Sequence, residues 1–220
     1  MLLSDAKSYH INGKEVKEMW MGGNQVWTAT VVPTHTVLQW ADIPTNTTVD
    51  TGIIPTSTMA MEYKVRFSNG SPSRGNAQSK NISILASPKN LLTISFYSCW
   101  TTSSCYLTFS HFGKTGYYYT QSELLRTNST YTWYVGPDKA KNNTSDVTYS
   151  GSSTTSVETT TMKIAPSNSG VPHRFYGFKM WDGDTLILDL IPVLLDNVVK
   201  FYDTVTGTYI APNRAITSYA

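Results

Sequence analysis

The sequence predicts an all-β protein, an antiparallel β-sandwich, on the basis of three observations. Short apolar runs recur at intervals of about eight to twelve residues, which is the spacing of strands in a sandwich or barrel. Residues that favour tight turns separate these runs, including Asn69-Gly70 and Asp182-Gly183. Aromatic residues make up 12% of the chain and charged residues only 15%, so we expect a surface rich in hydroxyl groups rather than charges.

The first part of the chain, residues 1–30, is predicted to form a small unit of its own. A strand-like run from Lys14 to Met21 precedes Gly22-Gly23-Asn24, whose residues tolerate the positive φ angles of a tight turn. A lone β-hairpin is only marginally stable in water, so this unit needs a surface to pack against. We expect Trp20 and Trp27 to provide its attachment or self-association contacts.

The main domain is predicted to span residues 37–220, and its clearest strand runs from Met59 to Phe67. Apolar and charged residues alternate there with a period of two, which predicts a half-buried antiparallel strand. The residues expected to face the core are Met59, Met61, Tyr63, Val65 and Phe67, and those expected to face solvent are Glu62, Lys64 and Arg66.

Shorter strands are predicted through the middle of the chain. They are Ile82–Leu85, Leu91–Tyr97, Tyr106–Phe109, Tyr117–Thr120, Tyr131–Val135 and Met162–Ile164. Residues 136–161 are polar, and they are predicted to form either a mobile loop or a weakly patterned hairpin around Gly151. The one helical candidate is a single turn at Gln121–Arg126.

Two hairpins are predicted to close the domain. The run from Arg174 to Val193 contains two apolar strands joined at Asp182-Gly183, and Asp-Gly between such strands is a strong hairpin signal. The run from Val198 to Ile210 predicts a second hairpin around Thr206-Gly207.

These closing hairpins resemble the last strands of a concanavalin A-like (laminin-G-like) sandwich. Residues 38–55, LQWADIPTNTTVDTGIIP, resemble the opening of the same family, which has an acidic-Thr-Gly step, here Asp50-Thr51-Gly52. The N-terminal run NGKEV…GGNQVW resembles a short unit at the start of many phage tail and virion proteins. The two resemblances imply a jelly-roll sandwich in a phage virion structural protein, which would be part of a tail, fibre, baseplate or capsid decoration.

The expected location is the virion, after synthesis in the host cytoplasm. The first ten residues have neither the basic region nor the apolar core of a signal peptide, and no apolar run approaches the roughly eighteen residues of a membrane span. The net charge of +2 offers no electrostatic case for nucleic acid. The expected partners are therefore other virion proteins, further copies in a trimer or higher homo-oligomer, and a host surface polysaccharide.

Three aromatic residues are the candidates for carbohydrate binding: Trp100 first, then Tyr119 and Trp133. Aromatic rings stack on the apolar faces of sugars while neighbouring hydroxyl groups form hydrogen bonds with sugar hydroxyls. Trp100 lies in the polar run CWTTSSC, which places hydroxyl side chains beside it. Adhesion to host glycan is the predicted function. A purely architectural virion protein without a ligand and a bacterial surface lectin-like domain are the alternatives.

No catalytic, metal or cofactor site is expected. Glycoside hydrolysis needs two carboxylates about 5 to 10 Å apart, and the acidic residues nearest to such a pattern, Asp182 and Asp184, flank a hairpin glycine. Cys99 and Cys105 lie close in sequence, where they are either a disulfide across a hairpin or two separate thiols.

Overall fold

A computed structural model describes most of the chain. The described residues are 9–11, 14–16, 18–21, 24–28, 35–44, 46–67, 81–86, 89, 91–97, 105–120, 129–165 and 172–220. The chain divides into two compact units, Met1–His35 and Thr36–Ala220. The predicted helical turn at Gln121–Arg126 lies outside the described residues.

The N-terminal unit contains two separate two-stranded antiparallel sheets. Strands β1 (Tyr9–Ile11) and β2 (Lys14–Val16) form the first, and β3 (Glu18–Met21) and β4 (Asn24–Thr28) form the second. The predicted single strand from Lys14 to Met21 is therefore wrong, because its two halves pair with different partners. The strand pairs flank the predicted turn positions 12–13 and 22–23.

The second unit is an all-β antiparallel sandwich of a seven-stranded and a ten-stranded sheet. In chain order its strands are β5 (Thr36–Val37), β6 (Ala41–Ile43), β7 (Val49–Asp50), β8 (Met59–Phe67), β9 (Asn81–Ala86), β10 (Leu92–Tyr97), β11 (Cys105–His111), β12 (Lys114–Thr120), β13 (Thr130–Val135), β14 (Ala140–Asn142), β15 (Ser145–Val147), β16 (Tyr149–Ser150), β17 (Lys163–Ile164), β18 (His173–Asp182), β19 (Thr185–Leu195), β20 (Val198–Asp203) and β21 (Thr208–Ile210).

The strand order shows how distant parts of the sequence meet. The seven-stranded sheet runs β16-β12-β11-β10-β9-β17-β7, and the ten-stranded sheet runs β15-β14-β13-β8-β18-β19-β20-β21, with β6 beside β18 and β5 beside β19. The inner faces of both sheets contribute to one hydrophobic core, whose largest fully buried side chains are Trp133, Tyr63, Phe109, Phe112, Phe175, Phe178, Phe201, Ile43 and Met61.

Strand β8 lies between β13 and β18, near the middle of the ten-stranded sheet. Its predicted inward residues Met61, Tyr63 and Val65 are fully buried, which confirms the alternation. On the opposite face Lys64 is exposed and Glu62 and Arg66 are partly exposed. Phe67 belongs to the strand, where it pairs with His173, but its side chain lies outside the described residues.

The Asp182-Gly183 hairpin is confirmed. Gly183 has a φ of 55° in the turn between β18 and β19, a conformation that glycine adopts without the steric cost of a Cβ atom. The two strands pair only near this turn and then diverge. Strand β6 pairs with the first residues of β18, and β5 pairs with the far end of β19. The segment 36–43 therefore occupies the fork between them.

The predicted hairpin around Thr206-Gly207 is also confirmed, and Asp203 explains its shape. This carboxylate is buried, and it accepts hydrogen bonds from the backbone N–H groups of Asp189, Val205 and Thr206 and from the Thr206 hydroxyl, the last at 2.6 Å. Four donors compensate the desolvation of this acidic group. The Asp203 side chain thereby joins β19 to the turn between β20 and β21.

Residues 136–161 form more structure than the sequence predicted. Strands β14 and β15 form a hairpin whose loop is Asn143-Thr144, so the predicted turn around Gly151 is wrong. Asn143 has a φ of 54° and its side-chain oxygen accepts a hydrogen bond from the Thr132 N–H. Residues 151–162 then lead from β16 to β17, and the buried Glu158 carboxylate along this segment accepts hydrogen bonds from the N–H groups of Lys89 and Leu91.

A hydrogen bond between two side chains lies inside the core. The hydroxyl of Tyr63 is 2.6 Å from Nε2 of His173, and both side chains are buried. Burial raises the pKa of Tyr63 well above its usual value, so the hydroxyl keeps its proton. The Tyr63 ring also makes an edge contact with the Phe178 ring, with centroids 6.1 Å apart.

Replacing Tyr63 by Phe should lower the free energy of unfolding by about 1 to 3 kcal/mol, because the buried His173 Nε2 atom loses this hydrogen-bond partner. Urea denaturation followed by tryptophan fluorescence measures this change. The matched control is Tyr176→Phe, which removes a hydroxyl from a partly exposed ring. Equal stability of the Tyr63 variant and the wild type would show that this hydrogen bond contributes nothing to the fold.

His111 is a second buried histidine, and its Nε2 atom lies 2.9 Å from the carbonyl oxygen of Met59 on the opposite sheet. Desolvation by burial lowers its pKa from 6.5, although the hydrogen bond to Met59 acts in the opposite direction. The folded protein therefore binds fewer protons than the unfolded chain below pH 6.5, so the stability due to the neutral ring is lost as pH falls.

We accordingly expect the melting temperature to decrease between pH 7 and pH 5, and His111→Gln to reduce this dependence. Glutamine retains an N–H donor for the Met59 carbonyl but does not titrate. Thermal melts of both proteins across this pH range test the expectation. A His111→Gln variant with the same pH dependence as the wild type would contradict it.

Candidate functional site

The outward face of the ten-stranded sheet, called the outer face below, carries the candidate site. Strands β8, β13, β18, β19 and β20 direct alternate residues to the core, so the residues between them lie on the other side. Six partly exposed aromatic residues lie on or beside this face: Trp40, Tyr134, Tyr176, Trp181, Tyr202 and Tyr209.

Four of these rings form two pairs. Tyr134 and Trp181 have ring centroids 6.3 Å apart, and Tyr202 and Tyr209 have centroids 5.0 Å apart. Tyr134 on β13 and Tyr202 on β20 are separated by four strand intervals, which is roughly 19 Å at the usual strand spacing. The outer face therefore has aromatic surface at two places along a line across the strands.

Small residues allow the first ring pair to form. Ala60 on β8 is the register partner of Trp181, and its short side chain is buried. A Cβ atom on Gly136 would lie 2.5 Å from the Tyr134 hydroxyl oxygen and 2.9 Å from the ring carbon that bears it, so any larger residue would displace this ring. Burial, with smaller contributions from the carboxylates of Asp138 and Glu62, raises the pKa of Tyr134, which keeps its hydroxyl protonated.

Ion pairs neutralise part of the charge on the outer face. Lys179 Nζ lies 3.5 Å from Asp189 Oδ2, between the two ring pairs, and Lys141 Nζ lies 3.5 Å from Asp146 Oδ1, beyond Tyr134. Such partly exposed pairs contribute little to stability. They leave a polar surface beside the aromatic rings, which is the chemical character of a surface that contacts sugars or proteins.

A third aromatic group lies at the fork between β18 and β19. The Arg174 guanidinium lies 3.9 Å from the centroid of the Trp40 ring, and its Nε donates to Asp42 Oδ1 at 3.1 Å. Ser218 donates to the other oxygen of Asp42 at 2.8 Å. This arrangement fixes Trp40 beside the outer face, because the stacked guanidinium is itself held by a carboxylate.

The predicted carbohydrate-binding role of Trp133 is wrong. Its side chain is only 1% exposed, its ring stacks on Tyr131, and its Nε1–H donates to Asn142 Oδ1 at 2.8 Å. The neighbouring Tyr134 is the residue that reaches the surface. The alternation of Tyr131, Trp133 and Val135 with polar residues was the sequence signal for this assignment.

The other predicted site residues stay predictions. Trp100 and Cys99 lie outside the described residues, as do the side chains of Trp20, Trp27, Tyr119 and Cys105. The backbone register places Tyr119 opposite Tyr106, and Cys105 opposite Thr120. Trp181 was visible in the sequence as one aromatic residue among many, but only the strand order brings it to Tyr134.

The acidic turn at residues 182–184 has a structural explanation. Asp182 Oδ1 accepts a hydrogen bond from the Thr58 hydroxyl at 2.5 Å, and the Gly183 N–H donates to the Thr58 carbonyl. Among the described residues, no group of three or more His, Cys, Asp or Glu side chains is arranged to hold a metal ion. Within the same part of the chain, no helix is long and apolar enough to cross a membrane.

Comparison of the chain with protein-family models and with curated proteins finds no match.

Proposed function

We propose that this chain is a structural protein of a phage virion whose β-sandwich binds host surface glycan through the outer face of the ten-stranded sheet. Its concanavalin A-like assignment and its virion location come from the sequence resemblances. The observation that carries the glycan proposal is the presence of two ring pairs, Tyr134–Trp181 and Tyr202–Tyr209, on one partly exposed face. The proposed activity is binding without catalysis.

The chemistry of the outer face supports a sugar ligand. Partly exposed rings offer apolar surface to the C–H groups of a pyranose, and their hydroxyl groups offer hydrogen bonds to its polar edges. The span of roughly 19 Å from Tyr134 to Tyr202 across the strands suits an extended polysaccharide better than a single sugar. Binding across a whole sheet face also makes several weak contacts act together, which fits adhesion to a repetitive polymer.

Replacement of Trp181 by Ala should weaken glycan binding by about tenfold, because one lost aromatic contact corresponds to roughly 1.4 kcal/mol. The measurement uses an array of purified bacterial capsular and O-chain polysaccharides, followed by titration of the best binder. Tyr117→Ala is the matched control, because Tyr117 is 46% exposed but lies on the seven-stranded sheet.

Thermal melts of both variants check that the sandwich remains folded. Loss of binding in Trp181→Ala alone, with an unchanged melt, would support the site. If the wild type binds no polysaccharide on the array, the glycan proposal fails and the architectural alternative, a virion protein that contacts only other virion proteins, replaces it.

The N-terminal unit is proposed to attach the chain to the particle or to other copies in a trimer or higher homo-oligomer. Each of its two sheets has only two strands, and such sheets are marginally stable without a partner. Its separation from the sandwich as a compact unit favours a distinct role. Other virion proteins are the expected partners.

The double variant Trp20→Ser/Trp27→Ser in the full chain should lower incorporation into particles while glycan binding by the free protein is retained. Quantitative immunoblotting of purified particles from a complemented phage measures incorporation, and size-exclusion chromatography with light scattering measures the oligomeric state. Unchanged incorporation together with an unchanged oligomeric state would rule out the attachment role of these two residues.

A further inference from the structure

Three cations on the outer face, Lys64, Arg66 and Lys200, lack a carboxylate partner among the described residues, and the first two are neighbours on one strand. Lys64 and Arg66 are successive outward residues of β8, exposed and partly exposed respectively. The ion pairs of the described part of the sheet use Lys141, Lys179 and Arg174 instead. Free cations on a protein surface are common, so their surroundings decide whether these two have a role.

The surroundings of Arg66 are electrostatically unfavourable. Its register partner on β18 is Arg174, and like charges directly opposite each other destabilise a sheet. The Asp42 carboxylate is bound to Arg174 and Ser218. Asp42 lies on β6, on the far side of β18 from Arg66, so its ion pair is with Arg174 and not with Arg66.

The neighbours of Lys64 are mostly polar. Its register partners are Thr132 on β13 and Gly177 on β18, and the partly exposed Tyr176 precedes Gly177 in the β-bulge at this point. Thr130 and Thr132 provide hydroxyl groups on the other side, next to Arg66 and Lys64.

We infer that Lys64 and Arg66, with Thr130 and Thr132, form an oxyanion subsite that makes the protein selective for acidic polysaccharides. The ligand group is a carboxylate or sulfate carried on a sugar chain. This inference rests on the proposed glycan function. It follows from chemistry, because Lys64 and Arg66 are adjacent cations of one strand face with hydroxyl groups beside them, and lysine, arginine and hydroxyl donors together recognise oxyanions.

The test compares three immobilised polymers: polygalacturonate for carboxylate, dextran sulfate for sulfate, and unmodified dextran as the neutral chain. Three full-length variants are compared with the wild type by biolayer interferometry at 50 and 150 mM salt. Lys64→Gln/Arg66→Gln removes the subsite charge. Lys139→Gln/Arg214→Gln removes the same charge from exposed positions elsewhere. Trp181→Ala removes an aromatic ring of the outer face without changing the charge, and melts verify folding.

We expect the wild type to bind at least one acidic polymer about tenfold or more tightly than dextran, the equivalent of one lost charged contact. We expect this preference to disappear in Lys64→Gln/Arg66→Gln but not in the control double variant. Equal loss in both double variants would show nonspecific charge attraction and overturn the subsite.

The same experiment separates the failure of this inference from the failure of the proposed function. If dextran or a neutral array glycan binds as well as the acidic polymers and only Trp181→Ala reduces binding, the oxyanion subsite is wrong and the glycan function stands. If neither the array nor these polymers bind the wild type, both proposals fail together.

Discussion

The burial of the Tyr63 hydroxyl is the constraint on which the rest of the sandwich depends. This group lies in the centre of an aromatic core, and a hydroxyl in that position must find a hydrogen-bond partner. It reaches His173 on the neighbouring strand at 2.6 Å, so the pairing of β8 with β18 is specified by a polar contact as well as by packing. A slip of one residue would place Tyr63 outside and would bring Glu62 and Lys64 into the core. The register that buries the inward residues of β8 therefore also determines which of its charged residues lie on the outer face.

The outer face combines features that core packing alone does not require. Its partly exposed rings lie in pairs, and the small Ala60 is the register partner of Trp181. Lys141, Lys179 and Arg174 are paired with carboxylates across strands, whereas Lys64 and Arg66 are not among those pairs. A surface with paired rings and unpaired cations is suited to binding, and it gives the adhesion proposal a specific location.

Elsewhere this chain, which has few charges, uses its buried polar groups to connect separate strands. Glu158 joins the segment before β17 to the backbone ahead of β10, and Asp203 joins β19 to the turn that follows β20. In the turn after β11, the burial of an apolar ring accompanies an unfavourable backbone conformation. Phe112 has a φ of 43°, which is costly for an aromatic residue, and its ring is buried in the core. Burial of this ring offsets the backbone strain.

The sequence by itself determined the strands and turns whose causes are local. Alternation identified the inward residues Met61, Tyr63 and Val65, and the positive φ angles that glycine tolerates identified the hairpins at Asp182-Gly183 and Thr206-Gly207. The hairpin loop at Asn143-Thr144 was missed because its side-chain contact is with β13, on another part of the chain. Likewise, alternation within β13 was sufficient to separate buried Trp133 from partly exposed Tyr134, but nothing local shows that Tyr134 meets Trp181.

Only the tertiary structure decided the strand order β13-β8-β18, the insertion of β5 and β6 into the fork, and hence which rings and charges share the outer face. The physical reason is that strand order depends on contacts between residues far apart in the chain, which short-range periodicity and turn preference do not encode.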